Sequence, residues 1–128
     1  MNRTEWKQYI EGTWRVSAEH PWEKHPDHMV FRHRGNRKWF ALILKVRRSA
    51  LGLDGEGTLD LLNVKADPPL IGSLLLQPGY FPAYHMNKEN WISVALDGSV
   101  PEDEIKMLLD MSHELTAPGR KRKGNRGF

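Results

Sequence analysis

Between Trp91 and Leu96 apolar and polar side chains alternate with a period of two. Ile92, Val94 and Leu96 therefore share one face of a strand, and Trp91, Ser93 and Ala95 the other. Asp97-Gly98 ends that strand, and the period then lengthens to that of a helix. Ile105, Leu108, Leu109, Ser112 and Leu115 make a single stripe that stops before Ala117-Pro118-Gly119. Ser99 stands three residues before Glu102, the spacing of a capping box, and Pro101 falls in the first turn, where its missing donor costs nothing.

Upstream, Trp6, Tyr9 and Ile10 predict a short amphipathic helix over Thr4 to Glu11, ending at Gly12. Pro21 and Pro26 break the stretch from Trp14 to His28 into a helical turn followed by a loop. Met29 to His33 and Lys38 to Arg48 read as strands joined by a two-residue hairpin turn at Gly35-Asn36, because both residues tolerate positive φ. In the second strand the even positions Phe40, Leu42, Leu44 and Val46 form one continuous apolar face. A Gly-rich loop follows over Ser49 to Gly57, and Thr58 to Lys65 makes a third strand. Asp67 is placed to cap a helix begun by Pro68 or Pro69, carrying Leu70 to Leu76 and closed by Pro78-Gly79. The order α-β-β-β-α-β-α, with tight turns, predicts an α+β fold: an antiparallel sheet with helices packed on one face.

Composition narrows this to one domain. At 128 residues and 39% hydrophobic the chain supports a single core, assigned to 1–116, with a basic flexible tail over 117–128. Without cysteine it can form neither a disulfide nor a zinc-thiolate site. The first residues lack an apolar signal core, and runs such as Phe40 to Leu44 are too short to cross a bilayer. The expectation is a cytoplasmic, monomeric protein with no membrane association and no cofactor.

The net charge of +3 conceals a partition. Residues 24–48 hold eight cations against Asp27 alone, whereas residues 49–116 hold three lysines against eleven acids, and the tail holds five cations and no acid. The basicity therefore sits in one hairpin and one tail on an otherwise acidic body. Arg32, Arg34, Arg37 and Lys38 around Gly35-Asn36 form a candidate wing, a protruding turn whose cations reach nucleic-acid phosphates. Lys45, Arg47 and Arg48 extend the patch to the far end of the strand. Arg120, Lys121, Arg122 and Lys123 offer a basic arm, since five cations and three glycines without an apolar pattern do not offset ordering entropy. A solvated basic turn and a solubility tail are the plain alternatives.

Other chemistry is thinly represented. His20, His25, His28 and His33 match no metal-site spacing. Glu102, Asp103 and Glu104 suit a helix N-terminus, where negative charge is stabilising. No Ser elbow, phosphate cradle or isolated carboxylate pair is present, so the chain reads as a binding protein rather than an enzyme.

One set of residues carries a family resemblance. His85, Asn87, Lys88, Trp91, Leu96, Asp97, Gly98, Ser99, Pro101 and Ser112 resemble the C-terminal half of the YjbR family, also called MmcQ-like. Val64-Lys65-Ala66-Asp67-Pro68 and Trp39-Phe40-Ala41-Leu42 extend the likeness, which covers residues 1–116. Asn90 and His113 depart from the family pattern, which has His and Tyr there. The resemblance implies a frataxin-type, CyaY-like fold and a DNA-binding role through hairpin wings, with no catalytic or cofactor residue. DNA bound with low specificity is thus the expected partner, with Lys88 and Trp91 as the motif's contributors. In strand geometry His85, Asn87 and Trp91 share a face and Lys88 lies opposite. The alternative is a protein-interaction or small-ligand module using the sheet face around Trp39 and Trp91.

Overall fold

A computed structural model describes residues 1–119. Its elements are α1 (Arg3–Trp14), β1 (Met29–Arg32), β2 (Trp39–Arg47), a single 3-10 turn (Arg48–Leu51), β3 (Thr58–Lys65), α2 (Pro68–Leu74), β4 (Tyr80–Pro82), β5 (Trp91–Ala95) and α3 (Glu102–Thr116). Among the described residues the strands form one sheet in the order β1-β2-β3-β5-β4, every neighbouring pair antiparallel. The α+β class and the antiparallel sheet hold, and one strand is added to the expected order. That strand, β4, follows Pro78-Gly79 and ends in Pro82, and its three residues pair Tyr80 with Val94, Phe81 with Ser93 and Pro82 with Ile92. So short a run, with a proline as its last residue, shows no alternation to read.

All three helices lie on one face. Trp6 and Ile10 of α1, Ile71 and Leu74 of α2, and Ile105, Leu108 and Leu109 of α3 pack with Phe31, Ile43, Leu62, Val64, Ile92 and Val94 in one buried core. Each such side chain contributes about 1.5–3 kcal/mol by leaving water. The alternation expected for β5 is the one observed, with Ile92, Val94 and Leu96 on the helix side and Trp91 and Ala95 on the other.

The helix ends differ from expectation. The capping box belongs to α1, where the Asn2 side chain accepts from the Glu5 amide at 2.9 Å and Glu5 accepts from the Asn2 amide at 2.8 Å. This helix also continues through Gly12 to Trp14 and stops at Arg15, whose φ is 55°. Trp14 stacks on His113 and meets Phe40 edge-on, contacts that offset the cost of about 1 kcal/mol for an internal glycine. Ser99 instead donates its hydroxyl to Asp97 at 2.5 Å and leaves α3 without a side-chain cap, so Glu102, Asp103 and Glu104 answer the helix dipole there. Asp67 occupies the N-cap position of α2 but makes no capping bond, and the helix ends before Leu76, which is 88% exposed.

The β1–β2 connection departs furthest. Four residues, Arg34 to Arg37, bridge His33 and Lys38, whose amide and carbonyl pair at 2.9 Å, and Arg37 takes the left-handed conformation at φ 63°. The turn is tied to the end of α3, although Arg34, Gly35, Arg37 and Lys38 remain exposed. Asn36 Nδ2 donates to the Thr116 carbonyl at 2.9 Å, the His33 ring lies 2.7 Å from Thr116 Oγ1, and a Cβ on Gly35 would stand 3.2 Å from Pro118. Just beyond it, Phe31 pairs with Ala41 but Arg32 with Trp39, so Phe40 is an extra residue, a β-bulge. The continuous even-numbered face therefore breaks: Phe40 turns to the helix side with Ala41 and Ile43, leaving Leu42, Leu44 and Val46 opposite. Ser112 holds the bulge by donating to the Phe40 carbonyl at 2.6 Å while accepting from the Lys65 amide at 2.8 Å.

No helical turn forms between Arg15 and His28. The chain runs beside β1 instead, and Glu19 exchanges both backbone hydrogen bonds with Val30 at 2.9 Å.

Candidate arginine groove and aromatic cleft

The second sheet face presents Val30, Leu42, Leu44, Val46, Leu59, Leu61 and Ala95. Loops cover it: Trp22 from the β1 approach, Leu51 and Leu53 from the 3-10 region, and Tyr84 and Met86 from the β4–β5 connection, together with Trp39 and Trp91. This cover leaves a cleft of ≈ 380 Å³ floored by Leu42 and Leu44 and walled by Trp22, Trp39, Tyr84 and Met86. Trp22 meets Trp39 edge-to-face at 5.8 Å, an arrangement favoured by the ring quadrupoles.

Three histidines stand at the mouth. His25 stacks on His28 at 4.7 Å, and a His28 ring nitrogen lies 3.2 Å from the Lys45 carbonyl. Burial holds the His28 pKa below the usual imidazole range, favouring its neutral form. His85 adopts φ 60°, a left-handed conformation uncommon for a side chain with a Cβ, and its ring lies 4.0 Å from that of Tyr84. His25, His28, Tyr84 and His85 also border a second hollow of ≈ 470 Å³, whose walls include Lys24, Lys45 and Arg47. Asp27 is the carboxylate on that wall among the described residues, 3.8 Å from Lys45 Nζ.

The Tyr84 wall is anchored from inside the sheet. Ser93 Oγ donates to Asn63 Oδ1 at 2.5 Å and accepts from the Tyr84 amide at 2.9 Å, and Asn63 Nδ2 donates to the Tyr84 carbonyl at 2.9 Å. Asn63 and Ser93 are fully buried, so this network satisfies polar groups that would otherwise be costly. Residues 85–88 form a turn rather than strand, which overturns the shared parity of His85, Asn87 and Trp91. Asn87 braces that turn as expected, accepting from the amides of Glu89 and Asn90. Lys88 closes the loop by donating to the Ala83 carbonyl at 3.0 Å, and Trp91 packs half-buried on the loop-covered face.

The cations of the β1–β2 turn gather elsewhere. Arg32, Arg34 and Arg37 line a groove of ≈ 350 Å³ with Arg15, Ser17 and Glu19. Glu19 takes Arg32 Nε at 3.0 Å and Arg37 at 3.4 Å, and the Arg32 guanidinium lies over the Trp39 ring at 5.6 Å. Arg15 and Arg34 are exposed, with no ion pair among the described residues.

The candidate cations therefore divide. Arg32, Arg34 and Arg37 converge, and exposed Lys38 adjoins them. Lys45 and Arg47 belong to the hollow beside the aromatic cleft, Arg48 is turned to the Asp54 carbonyl at 2.8 Å, and Lys88 lies in its own loop. Arg120, Lys121, Arg122 and Lys123 lie outside the described residues. The four candidate histidines do not converge either: His20 faces the carbonyls of Pro26 and His28, while His33 is buried against Thr116. Arg15, Trp22 and Tyr84 were not singled out in the sequence, and the one local sign for Trp22 is an aromatic set between the two prolines of an irregular segment.

A pair of imidazoles, His33 buried and His113 half-buried, joins the turn to α3. His33 and His113 rings lie 4.1 Å apart, flanked by Phe40, and Trp14 stacks on His113. Burial, reinforced by His33, pushes the His113 pKa down to about 4, and burial also lowers His33.

Residues 12–115 match the YjbR family model. Protein YyaQ of Bacillus subtilis is 39% identical over 116 residues, covering 91% of this chain and 98% of its own. A Pseudomonas syringae crystal structure superposes with a TM-score of 0.89 at 43% identity, covering 91% of this chain and all of its own. Protein DR2400 of Deinococcus radiodurans shares the fold at 23% identity, with a TM-score of 0.63 over 88% of this chain and 79% of its own.

Proposed function

The chain belongs to the YjbR family, and from that premise we propose that it is a small nucleic-acid-associated module gripping phosphates through the arginine groove, without transforming what it binds. Convergence carries the reading. Arg15 closes the N-terminal helix, far from the β1–β2 turn in sequence, yet lines one hollow with Arg32, Arg34 and Arg37. Planar guanidinium groups present paired donors that match phosphate oxygens. Glu19 holds Arg32 and Arg37 in place, leaving Arg15 and Arg34 to make the first contacts. Phosphate contacts position a protein without reading bases, so specificity is low. A frataxin-like architecture, implied by the family resemblance, is part of the same proposal, as is a contribution from Arg120, Lys121, Arg122 and Lys123.

Fluorescence anisotropy with short duplex DNA across a potassium chloride series tests it. Affinity falls as salt rises, with a log–log slope of about −0.9 per phosphate engaged. Replacing Arg34, Arg37 and Lys38 together by Ala weakens binding by about tenfold or more and flattens that slope. Salt-insensitive binding, or an unchanged triple variant, overturns the proposal.

A further inference from the structure

The aromatic cleft shares no lining residue with the arginine groove, which it meets where Arg32 lies over Trp39, and it has the composition of a separate site. We propose that it binds a free nucleoside monophosphate, with the planar base held in the ≈ 380 Å³ compartment and the phosphate in the adjoining basic hollow.

Three observations carry this. The first is shape and chemistry: Trp22, Trp39 and Tyr84 present aromatic surface around a leucine floor, the lining that a flat, weakly hydrated ring system requires. The second is charge complementarity. No carboxylate lines the aromatic compartment among the described residues, whereas the contiguous hollow offers Lys24, Lys45 and Arg47 against Asp27. A ligand spanning both compartments is therefore apolar and planar at one end and anionic at the other. The third is preorganisation. The Tyr84 wall is tied to buried Asn63 and Ser93, and His85 is held at φ 60° where the two compartments meet. A loop fixed this way binds without a large ordering cost, and strained backbone concentrates at such sites. His25, exposed and stacked on the buried His28, supplies a ring nitrogen at the same junction for a sugar hydroxyl.

The test uses the full chain with adenosine 5′-monophosphate, adenosine and ribose 5-phosphate, then the guanine, cytosine and uracil monophosphates and a single-stranded oligonucleotide, each followed by the indole N–H signals of Trp22 and Trp39. The monophosphate is expected to shift both signals and to bind about tenfold more tightly than adenosine, while ribose 5-phosphate leaves them unmoved. Trp22→Ala abolishes binding. Because that side chain also packs, a second variant joins Lys45→Ala with Arg47→Ala, both exposed, and lowers monophosphate affinity to that of adenosine. The Arg34, Arg37 and Lys38 triple variant retains full monophosphate affinity, so failure of the groove and failure of the cleft are told apart. Equal affinity for adenosine and its monophosphate overturns the proposal, as does absence of binding by the adenine, guanine, cytosine and uracil monophosphates alike. Binding of a single-stranded oligonucleotide in the cleft with none of the mononucleotides overturns it too, and assigns the cleft to a nucleic-acid strand.

Discussion

On the helix side of the sheet Phe31, Ile43, Leu62 and Val64 meet side chains from three helices and are fully excluded from water, whereas on the loop side Leu42 and Leu44 meet rings from two loops and floor an open cleft. The strands supply similar residues to both faces. What differs is the cover. A helix satisfies its own backbone and can press a continuous apolar stripe onto the sheet, so it closes the space beneath it. A loop must spend polar groups on its turns, as the 84–90 segment does through Asn63, Ser93, Asn87 and Lys88, and its side chains arrive at wider intervals. Recognition chemistry accumulates where closure is incomplete.

The sharpest way to break this comparison is to truncate one large side chain on each face. Phe40→Ala, on the helix side and fully buried, should cost about 3–5 kcal/mol in urea unfolding. Trp22→Ala, half-exposed on the loop side, should cost about 1–2 kcal/mol. Equal losses would show that the loop face is as tightly closed as the other.

Acid should separate the faces next. His113 and His33 titrate below their unfolded range, so the unfolded chain takes up protons first as pH falls. Stability is complete above about pH 6.5 and declines toward pH 4, by about 1–2 kcal/mol for His113, whose charge solvent still screens at this half-buried position. Urea midpoints between pH 7 and 5 measure it. His113→Phe should flatten part of that decline, leaving the contributions of His33 and of His28 at the cleft mouth. A variant with an unchanged profile would place the acid response elsewhere.

A smaller effect tests the link between sheet and cleft wall. Asn63→Ala removes the partner of Tyr84 and Ser93 and should cost about 1–3 kcal/mol. Hydrogen exchange should then rise selectively at residues 83–90, and spread of the effect to α3 would sink the idea of a local anchor. The smallest change is expected from Glu19→Gln, which releases Arg32 and Arg37 at a cost of about 0.2–1 kcal/mol. The same substitution should tighten duplex DNA binding and steepen its salt slope, and looser binding would make Glu19 an organiser the groove requires.

Much of the helix side was legible in the sequence, because its rules are local and periodic. The β3 boundaries, the faces of β5 and the stripe Ile105, Leu108, Leu109 and Ser112 follow from spacing alone. The Phe40 bulge was not legible, since a period of two has no place for an extra residue whose carbonyl is held by Ser112, distant in sequence. Gly35-Asn36 carries the signature of a tight hairpin, yet Asn36 serves α3 and Arg37 takes the positive φ instead. Ser99 has a capping-box spacing, but its hydroxyl is claimed by Asp97 two residues earlier. The cleft lay furthest from view. Trp22, Trp39 and Tyr84 come from three separate segments, and no spacing rule joins them. The arginine groove was half visible: the turn cations stood out, but Arg15 reaches them only because α1 runs past Gly12 before it stops.

The exchange of backbone bonds between Glu19 and Val30 has a consequence for how molecules of this protein meet. β1 is an outer strand, and the amide and carbonyl that Val30 turns outward are already occupied, so another strand finds no matching pair to add to. At the opposite border β4 offers only three residues, one of them Pro82, which has no N–H to donate. Both borders are thus blunted against sheet growth. Crowded chains should come together through side-chain surfaces rather than by strand addition.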